Sequence, residues 1–240
     1  MQNAAFAELG LDWTYELLDV AETDLPKAIE RLRDSDVAGA NVTIPHKQPV
    51  MEAMDTLDAD ALRARAVNTV VNQGGRLRGM NTDVAAIREA AQELDLEITG
   101  ANVVILGTGG AARAAAVALL GAHLIFVARH PAAADVPGRV VDWSDPDWPS
   151  RVRSAHLLVN ATPLGRKEEM PLRPNALPEH GAVLDLVYVS GGTPLVRKSR
   201  SLGLRTADGW GILLAQGAAS FHAWTEKSAP LAVMRETLSP

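Results

Sequence analysis

Cysteine is absent from the 240 residues. That excludes disulfide scaffolds, thiol nucleophiles and cysteine-based zinc or iron–sulfur sites, and it is compatible with a reducing cytoplasm. Positive charge is not in excess either: 23 Lys and Arg stand against 29 Asp and Glu, a formal net charge of -6. No broad basic field exists to attract phosphate backbones or anionic lipid, so neither nucleic acid nor a membrane is an expected partner. Long hydrophobic runs are also missing. The longest, residues 114–128, is interrupted by Gly121 and His123 and falls short of the roughly 18 residues that suggest a membrane span. The opening MQNAAFAELG lacks a basic region followed by an apolar one, so no secretory signal is legible and the cytoplasm is the expected compartment. Internal repeats and low-complexity tracts are absent as well.

What is present is a chain that is 47% hydrophobic, long enough for one large domain or two small ones. Short apolar runs alternate with helical periodicity almost from end to end, which predicts α/β architecture with mostly parallel strands. In the first third, Ala4, Phe6, Ala7 and Leu9 predict a helix ended by Gly10, and residues 13–20 a strand. A helix is expected after Asp24 with Pro26 in its first turn, a strand over 37–44, and a helix opened by Pro45. The runs VNTVV and RLRGM flanking Gln73-Gly74-Gly75 read as a hairpin. Val84, Ile87, Ala91 and Leu94 recur at helical spacing and predict a connector up to a boundary near Thr99-Gly100. Six candidate strands follow, at 102–106, 124–128, 139–143, 157–160, 182–186 and 204–206, the number in a full Rossmann sheet. The expected organisation is a first α/β domain over 1–99, a Rossmann domain over 100–211, and a C-terminal segment over 212–240 that packs back on the first domain.

The most specific local signal is NVVILGTGGAARAAAVALLG. Gly107, Gly109 and Ala112 stand in G-x-G-x-x-A spacing between a buried strand and a helix. The first glycine allows a tight turn, the second lets backbone approach a pyrophosphate, and the small third residue lets helix and strand pack closely, with the anion at the positive helix end. About twenty residues on, where an NAD-binding chain carries Asp or Glu, this one has Ala128-Arg129-His130. A guanidinium there can pair with a 2'-phosphate, so NADP is favoured over NAD. The same position also suits a solvated strand end.

In the first domain, NVTIPHK leaves Thr43 and Lys47 near the carboxyl edge of a strand, where open α/β sheets bind ligands. A lysine in a first helical turn meets the positive end of the dipole, which should lower its pKa and suit it to proton transfer. Lysines at helix starts are also commonly just solvated. The ordered set NVTIPHK, AVNTVV, MNTD, GTGGAARA, NATPLG, DLVY followed by TPL, and GILLAQGAASF resembles the shikimate dehydrogenase family over nearly the whole chain.

That resemblance implies a substrate domain followed by an NADP domain, a monomer or homodimer, and NADP-dependent, reversible reduction of 3-dehydroshikimate to shikimate. It implies that Lys47 and Asp83 form the proton-transfer site, although Asp83 also suits a helix N-cap. Thr43, Asn68, Tyr188 and Gln216 match substrate-contacting positions; for Tyr188 and Gln216, a buried polar group with structural partners is the alternative. Cofactor contacts are implied for Gly107, Thr108, Gly109, Gly110, Ala111, Ala112, Arg129, Asn160, Thr162 and Gly209. His46 is read as structural or solvent-facing, and the histidines show no metal-site spacing, so no metal is expected.

The pattern also breaks. In the family, a strand and a Ser-x-Ser loop that binds the substrate carboxylate precede the helix that here opens MQNAAF. Without that interior strand, rows of backbone donors and acceptors would lack partners. The expectation is therefore an internal methionine of a longer protein or a truncated form; a short paralogue without shikimate binding is the competing reading. Arg65 stands where glycine is usual, Arg166 where methionine is, Ser190 where proline is, and Ala128 and His130 where Asn and Thr are common. The alternatives left open are a quinate or aminoshikimate dehydrogenase and a non-catalytic NADP-binding protein.

Overall fold

A computed structural model describes residues 1–238. Contacts divide the chain into two compact units, one formed by Met1–Asp83 together with the chain from Leu214 onward, the other by Val84–Leu213. The first division falls inside the helix Thr82–Glu93, so most of the connector expected to precede Thr99-Gly100 groups with the second unit. In that unit the carbonyls of Leu94 and Asp95 accept hydrogen bonds from Arg205.

The first unit holds a four-stranded sheet of β1 (Gly39–Asn41), β2 (Thr56–Leu57), β3 (Thr69–Gln73) and β4 (Arg76–Met80), in the order β1-β3-β4-β2. Two of its pairings are antiparallel and only β2–β4 is parallel, which corrects the expectation of mostly parallel strands for this half. The hairpin is the reason: Gly74 and Gly75, with φ of +64° and +89°, form a two-residue turn of the kind that matches the twist of antiparallel strands.

Three local expectations fail here for physical reasons. Residues 13–20 form no strand, since a ladder needs a neighbouring chain. The Asn3 side chain takes that place at one residue only, accepting from Tyr15 N at 2.6 Å and donating to Tyr15 O at 3.0 Å. The strand expected over 37–44 shortens to β1. Pro45 opens a turn, not a helix, followed by the 3-10 helix Pro49–Ala53. In an α-helix begun at Pro45, Pro49 would lack the amide needed to reach the Pro45 carbonyl, and its ring would collide with that carbonyl. Lys47 therefore lies outside any α-helix, and the dipole argument does not apply to it. The helix Ala59–Ala64, which the sequence did not reveal, ends on Arg65 in the left-handed region, φ 49° and ψ 43°; that conformation explains why glycine is usual there.

Two apolar clusters build the first unit. Ile29, Val50, Ala61, Val67, Val70 and Leu77 pack around the sheet. Ala5, Phe6, Leu214, Phe221 and Met234 join the helix Gln2–Glu8 to the helices Gly209–Thr225 and Leu231–Glu236. The C-terminal segment thus packs on residues from the start of the chain, and Gln2 donates to the Gly217 carbonyl at 2.9 Å.

The second unit is a six-stranded sheet of β5 (Asn102–Leu106), β6 (His123–Ala128), β7 (Arg139–Asp142), β8 (Leu157–Asn160), β9 (Ala182–Asp185) and β10 (Arg205–Ala207). Every pairing is parallel and the order is β10-β9-β8-β5-β6-β7. The order reverses between β5 and β8, the switch point at whose carboxyl ends doubly wound sheets bind ligands. Leu157, Leu158, Val159, Val183 and Leu184 are fully buried, because helices cover both faces of such a sheet and an apolar run serves where alternation would not.

Candidate active site

In the first unit, the Lys47 ammonium and the Asp83 carboxylate meet at 2.7 Å, each side chain 18% exposed. The two residues are 36 apart in sequence and are brought together by the sheet. The Lys47 backbone is fixed where its carbonyl accepts from Val67 N at 2.7 Å, immediately before β3. Asp83 sits in the first turn of Thr82–Glu93, where a negative charge is favoured by the helix dipole. An ammonium held this way can pass a proton to or from a ligand oxygen, and the carboxylate fixes its direction.

Asn68 is buried and its side chain closes the start of that helix. Its Oδ1 accepts from Thr82 N at 2.8 Å, and its Nδ2 donates to Thr82 Oγ1 at 3.0 Å. One amide hydrogen is left for a ligand. Thr43 is exposed and its carbonyl accepts from His46 N. Gln216 is half-buried on Gly209–Thr225, and its carbonyl accepts from Ser220. His46 keeps to a structural role, with Nε2 2.7 Å from the Val20 carbonyl.

Beneath Asn68 lies a polar cluster that sequence reasoning missed. Ser220 Oγ is 2.9 Å from Thr69 Oγ1, 3.3 Å from Thr82 Oγ1 and 2.9 Å from Asn41 Nδ2. Thr69, Thr82 and Ser220 all lie within the recognised motifs, but nothing in the spacing links Ser220 to residues 151 and 138 positions earlier. Tyr15 joins through a 3.1 Å bond to Asn41, and burial raises its hydroxyl pKa.

In the second unit, Gly107 turns the chain at φ +101°, and a Cβ there would lie 3.1 Å from the Ala161 carbonyl oxygen and 3.2 Å from Thr162 Cγ2. Gly109 precedes the helix Gly110–Ala118 without a side-chain cap, and a Cβ on it would meet nothing within 4 Å. Ala112 is fully buried behind it, while Thr108, Gly110 and Ala111 are partly exposed around the turn. Uncapped first-turn amides, an open approach at Gly109 and close packing at Ala112 fit the pyrophosphate of a dinucleotide. Arg129 is exposed at the end of β6, and no ion pair engages it among the described residues.

Asn160 is fully buried and its hydrogen bonds are used inside the fold: Nδ2 donates to the Leu164 carbonyl and to Asp185, and Oδ1 accepts from Thr162 N and Oγ1. It supports the loop that carries Thr162. Gly209 likewise answers a packing need, since a Cβ there would lie 2.6 Å from the Val187 carbonyl carbon. Tyr188, 45% exposed, packs on Trp210 at 5.5 Å, and the Trp210 indole donates to the Val189 carbonyl.

An open parallel sheet with a glycine turn at its switch point, and a separate sheet bearing a partly buried ammonium–carboxylate pair, define a two-domain dinucleotide-dependent dehydrogenase. Comparison narrows the class. The family model described as shikimate dehydrogenase substrate binding domain matches residues 1–70, and that described as shikimate 5'-dehydrogenase C-terminal domain matches 209–238. The shikimate dehydrogenase (NADP(+)) of Moorella thermoacetica is 40% identical over 255 residues, covering 99% of this chain and 86% of that protein; that of Halobacterium salinarum is 41% identical, covering 99% and 92%. Among solved structures, shikimate 5-dehydrogenase of Thermus thermophilus in complex with NADP(H) and shikimate superposes with a TM-score of 0.87 at 34% identity, covering 98% of this chain and 91% of that one. The chain belongs to the shikimate dehydrogenase family. Among the described residues, no helix is long and apolar enough to cross a membrane.

Proposed function

We propose that the protein is an NADP-dependent shikimate dehydrogenase, acting in the cytoplasm as a monomer or homodimer, which reversibly reduces 3-dehydroshikimate to shikimate. The observation that carries this reading is the 2.7 Å contact between Lys47 and Asp83. In the reducing direction, Lys47 Nζ gives a proton to the substrate's carbonyl oxygen as that oxygen gains negative charge. Asp83 keeps the ammonium aimed and accepts from a ring hydroxyl. Thr43, the spare Asn68 amide hydrogen, Gln216 and Tyr188 supply further hydrogen bonds to a polyol. In the oxidising direction Lys47 takes up the hydroxyl proton. When bound, NADPH supplies the hydride for the carbonyl carbon. The turn 107–112 holds its pyrophosphate and Arg129 its 2'-phosphate, with Thr162 beside the turn.

The test is formation of NADPH from NADP+ with shikimate as the only added substrate. A shikimate-dependent rise in NADPH absorbance is the expected result; NADP+ binding with no such rise would remove the catalytic reading and leave a nucleotide-binding protein. Quinate run in parallel checks the ring specificity.

Two substitutions probe the nucleotide site. Gly109→Ala introduces a methyl that touches nothing in the protein, at an extended backbone that alanine tolerates, φ -77° and ψ -170°. The thermal midpoint should therefore hold, while calorimetry should show NADP+ affinity reduced about tenfold or more, because the methyl occupies the pyrophosphate's approach. Arg129→Ala removes charge-assisted bonds to the 2'-phosphate. It should weaken NADP+ by about ten- to a hundredfold and leave NAD+ affinity unchanged, as read from the ratio of their KM values.

A further inference from the structure

Asp185 is a fully buried acid at the last position of β9, paired in register with Asn160 at the last position of β8. Among the described residues no cation neutralises it; three donors surround it instead. Its Oδ1 accepts from Asn160 Nδ2 at 2.9 Å and Val187 N at 3.0 Å, and its Oδ2 accepts from Thr193 Oγ1 at 2.5 Å. Burial pushes its pKa up, and the hydrogen bonds from Thr193, Val187 and Asn160 oppose that rise. Each partner holds a different piece of chain. Through Asn160 the carboxylate fixes both Thr162 and the Leu164 carbonyl. Through Val187 it fixes the backbone just before Tyr188. Through Thr193, whose Oγ1 accepts from Val196 N, it fixes the cap of the helix Pro194–Ser201.

The two loops so gathered, 161–165 and 186–193, leave the carboxyl ends of adjacent strands, the edge at which parallel sheets hold ligands. They also touch one another, since a Cβ on Gly165 would lie 3.1 Å from Thr193 Cγ2. The first presses on the glycine turn, as the close approach of Ala161 and Thr162 to Gly107 shows. Glu169 anchors only the outer end of this stretch, accepting from Gly165 N and Lys167 N. A buried acid costs stability unless its bonds are made, so its presence under these loops calls for an explanation beyond packing.

We propose that Asp185 is a positioning residue of the cofactor site, joining loops 161–165 and 186–193 in the one arrangement that seats Thr162 against Gly107. The inference rests on the reading that the glycine turn takes NADP, but its structural half can be tested without nucleotide. Asp185→Asn keeps the size and replaces one acceptor with a donor that faces the Thr193 hydroxyl. Hydrogen exchange of the ligand-free variant should show faster exchange at Thr162, Leu164 and Val187, with the amides of β5 and of Gly110–Ala118 unchanged. NADP+ affinity by calorimetry should fall about tenfold. A purely structural role would instead lower the thermal midpoint and raise exchange throughout the unit, with NADP+ affinity of the folded protein unaltered; that result overturns the proposal.

Should Asp185→Asn fail to fold, Thr193→Val and Thr193→Ser decide the question. Valine removes the hydroxyl that joins the carboxylate to the second loop, and serine keeps it. A several-fold loss of NADP+ affinity with valine, restored by serine, supports the proposal; equal affinity in the two variants and the parent overturns it. If the parent protein itself does not bind NADP+, the cofactor reading fails, and the inference drawn from it fails too.

Discussion

Lys47→Ala is expected to lower kcat for shikimate oxidation by about 10²–10⁴-fold, the range contributed by a positioned acid–base group, with NADP+ affinity unchanged. The oxygen that gains or loses the proton then has water as its only partner, and the lost interaction is one that strengthens as charge develops on that oxygen. KM for shikimate should move much less than kcat, because a group acting mainly in the transition state contributes little to ground-state binding. Asp83→Asn should produce a smaller loss, since an amide oxygen can still accept from the ammonium at the same 2.7 Å but no longer opposes its charge. Steady-state kinetics on both variants, with thermal denaturation to confirm folding, checks the ordering. A Lys47→Ala enzyme retaining more than about a tenth of the parent kcat would remove Lys47 from proton transfer.

The parts of this molecule differed in how far sequence could reveal them. All six strands of β5 to β10 were legible within a residue or so, because a strand covered on both faces is a short uninterrupted apolar run whose ends are marked by glycine, proline or polar residues. The first unit was harder. Residues 13–20 alternate as a strand does, but pairing is a property of two chains, and a local pattern cannot show whether a neighbour runs alongside. Pro45 looked like a helix start until Pro49, four residues later, is seen to remove the bond that would continue it. At the site, the types of Lys47 and Asp83 suit proton transfer, yet only the resemblance paired them, since no period links residues that far apart. Asn160 and Gly209 sat in motifs that suggested ligand contact; what the motifs did not reveal is that the Asn160 side chain ties the loop of Thr162 and that Gly209 leaves no room for a Cβ beside Val187. Thr69, Thr82 and Ser220 each sat in a recognised motif, but nothing in the sequence showed that their hydroxyls meet, because no period links residues that far apart.

Gly39→Ala should be the most damaging small substitution to stability. A Cβ at this position would stand 2.1 Å from the Val70 carbonyl oxygen and 2.5 Å from Trp224 Nε1, and those two atoms are hydrogen-bonded to each other at 2.9 Å. Neither neighbour can give way cheaply. Val70 lies opposite Ala40 in the β1–β3 ladder, so moving its carbonyl breaks strand pairing, and moving the indole breaks its N–H bond to that carbonyl and disturbs its ring contact with Tyr15. Overpacking and loss of a buried hydrogen bond together imply about 3–5 kcal/mol, or a fall in Tm of about 10 °C for a chain of this size. Gly74→Ala is the control: that glycine also has a positive φ, +64°, but nothing lies within 4 Å of its Cβ position, so it should lose only about 1 kcal/mol from backbone strain. Thermal denaturation of the pair separates the two causes. Equal, small losses would mean that β1 can move away from β3 and Trp224 without penalty. Because β1 leads directly into Thr43 and Lys47, Gly39→Ala should also lose shikimate oxidation on warming before the second unit loses its NADP+ binding.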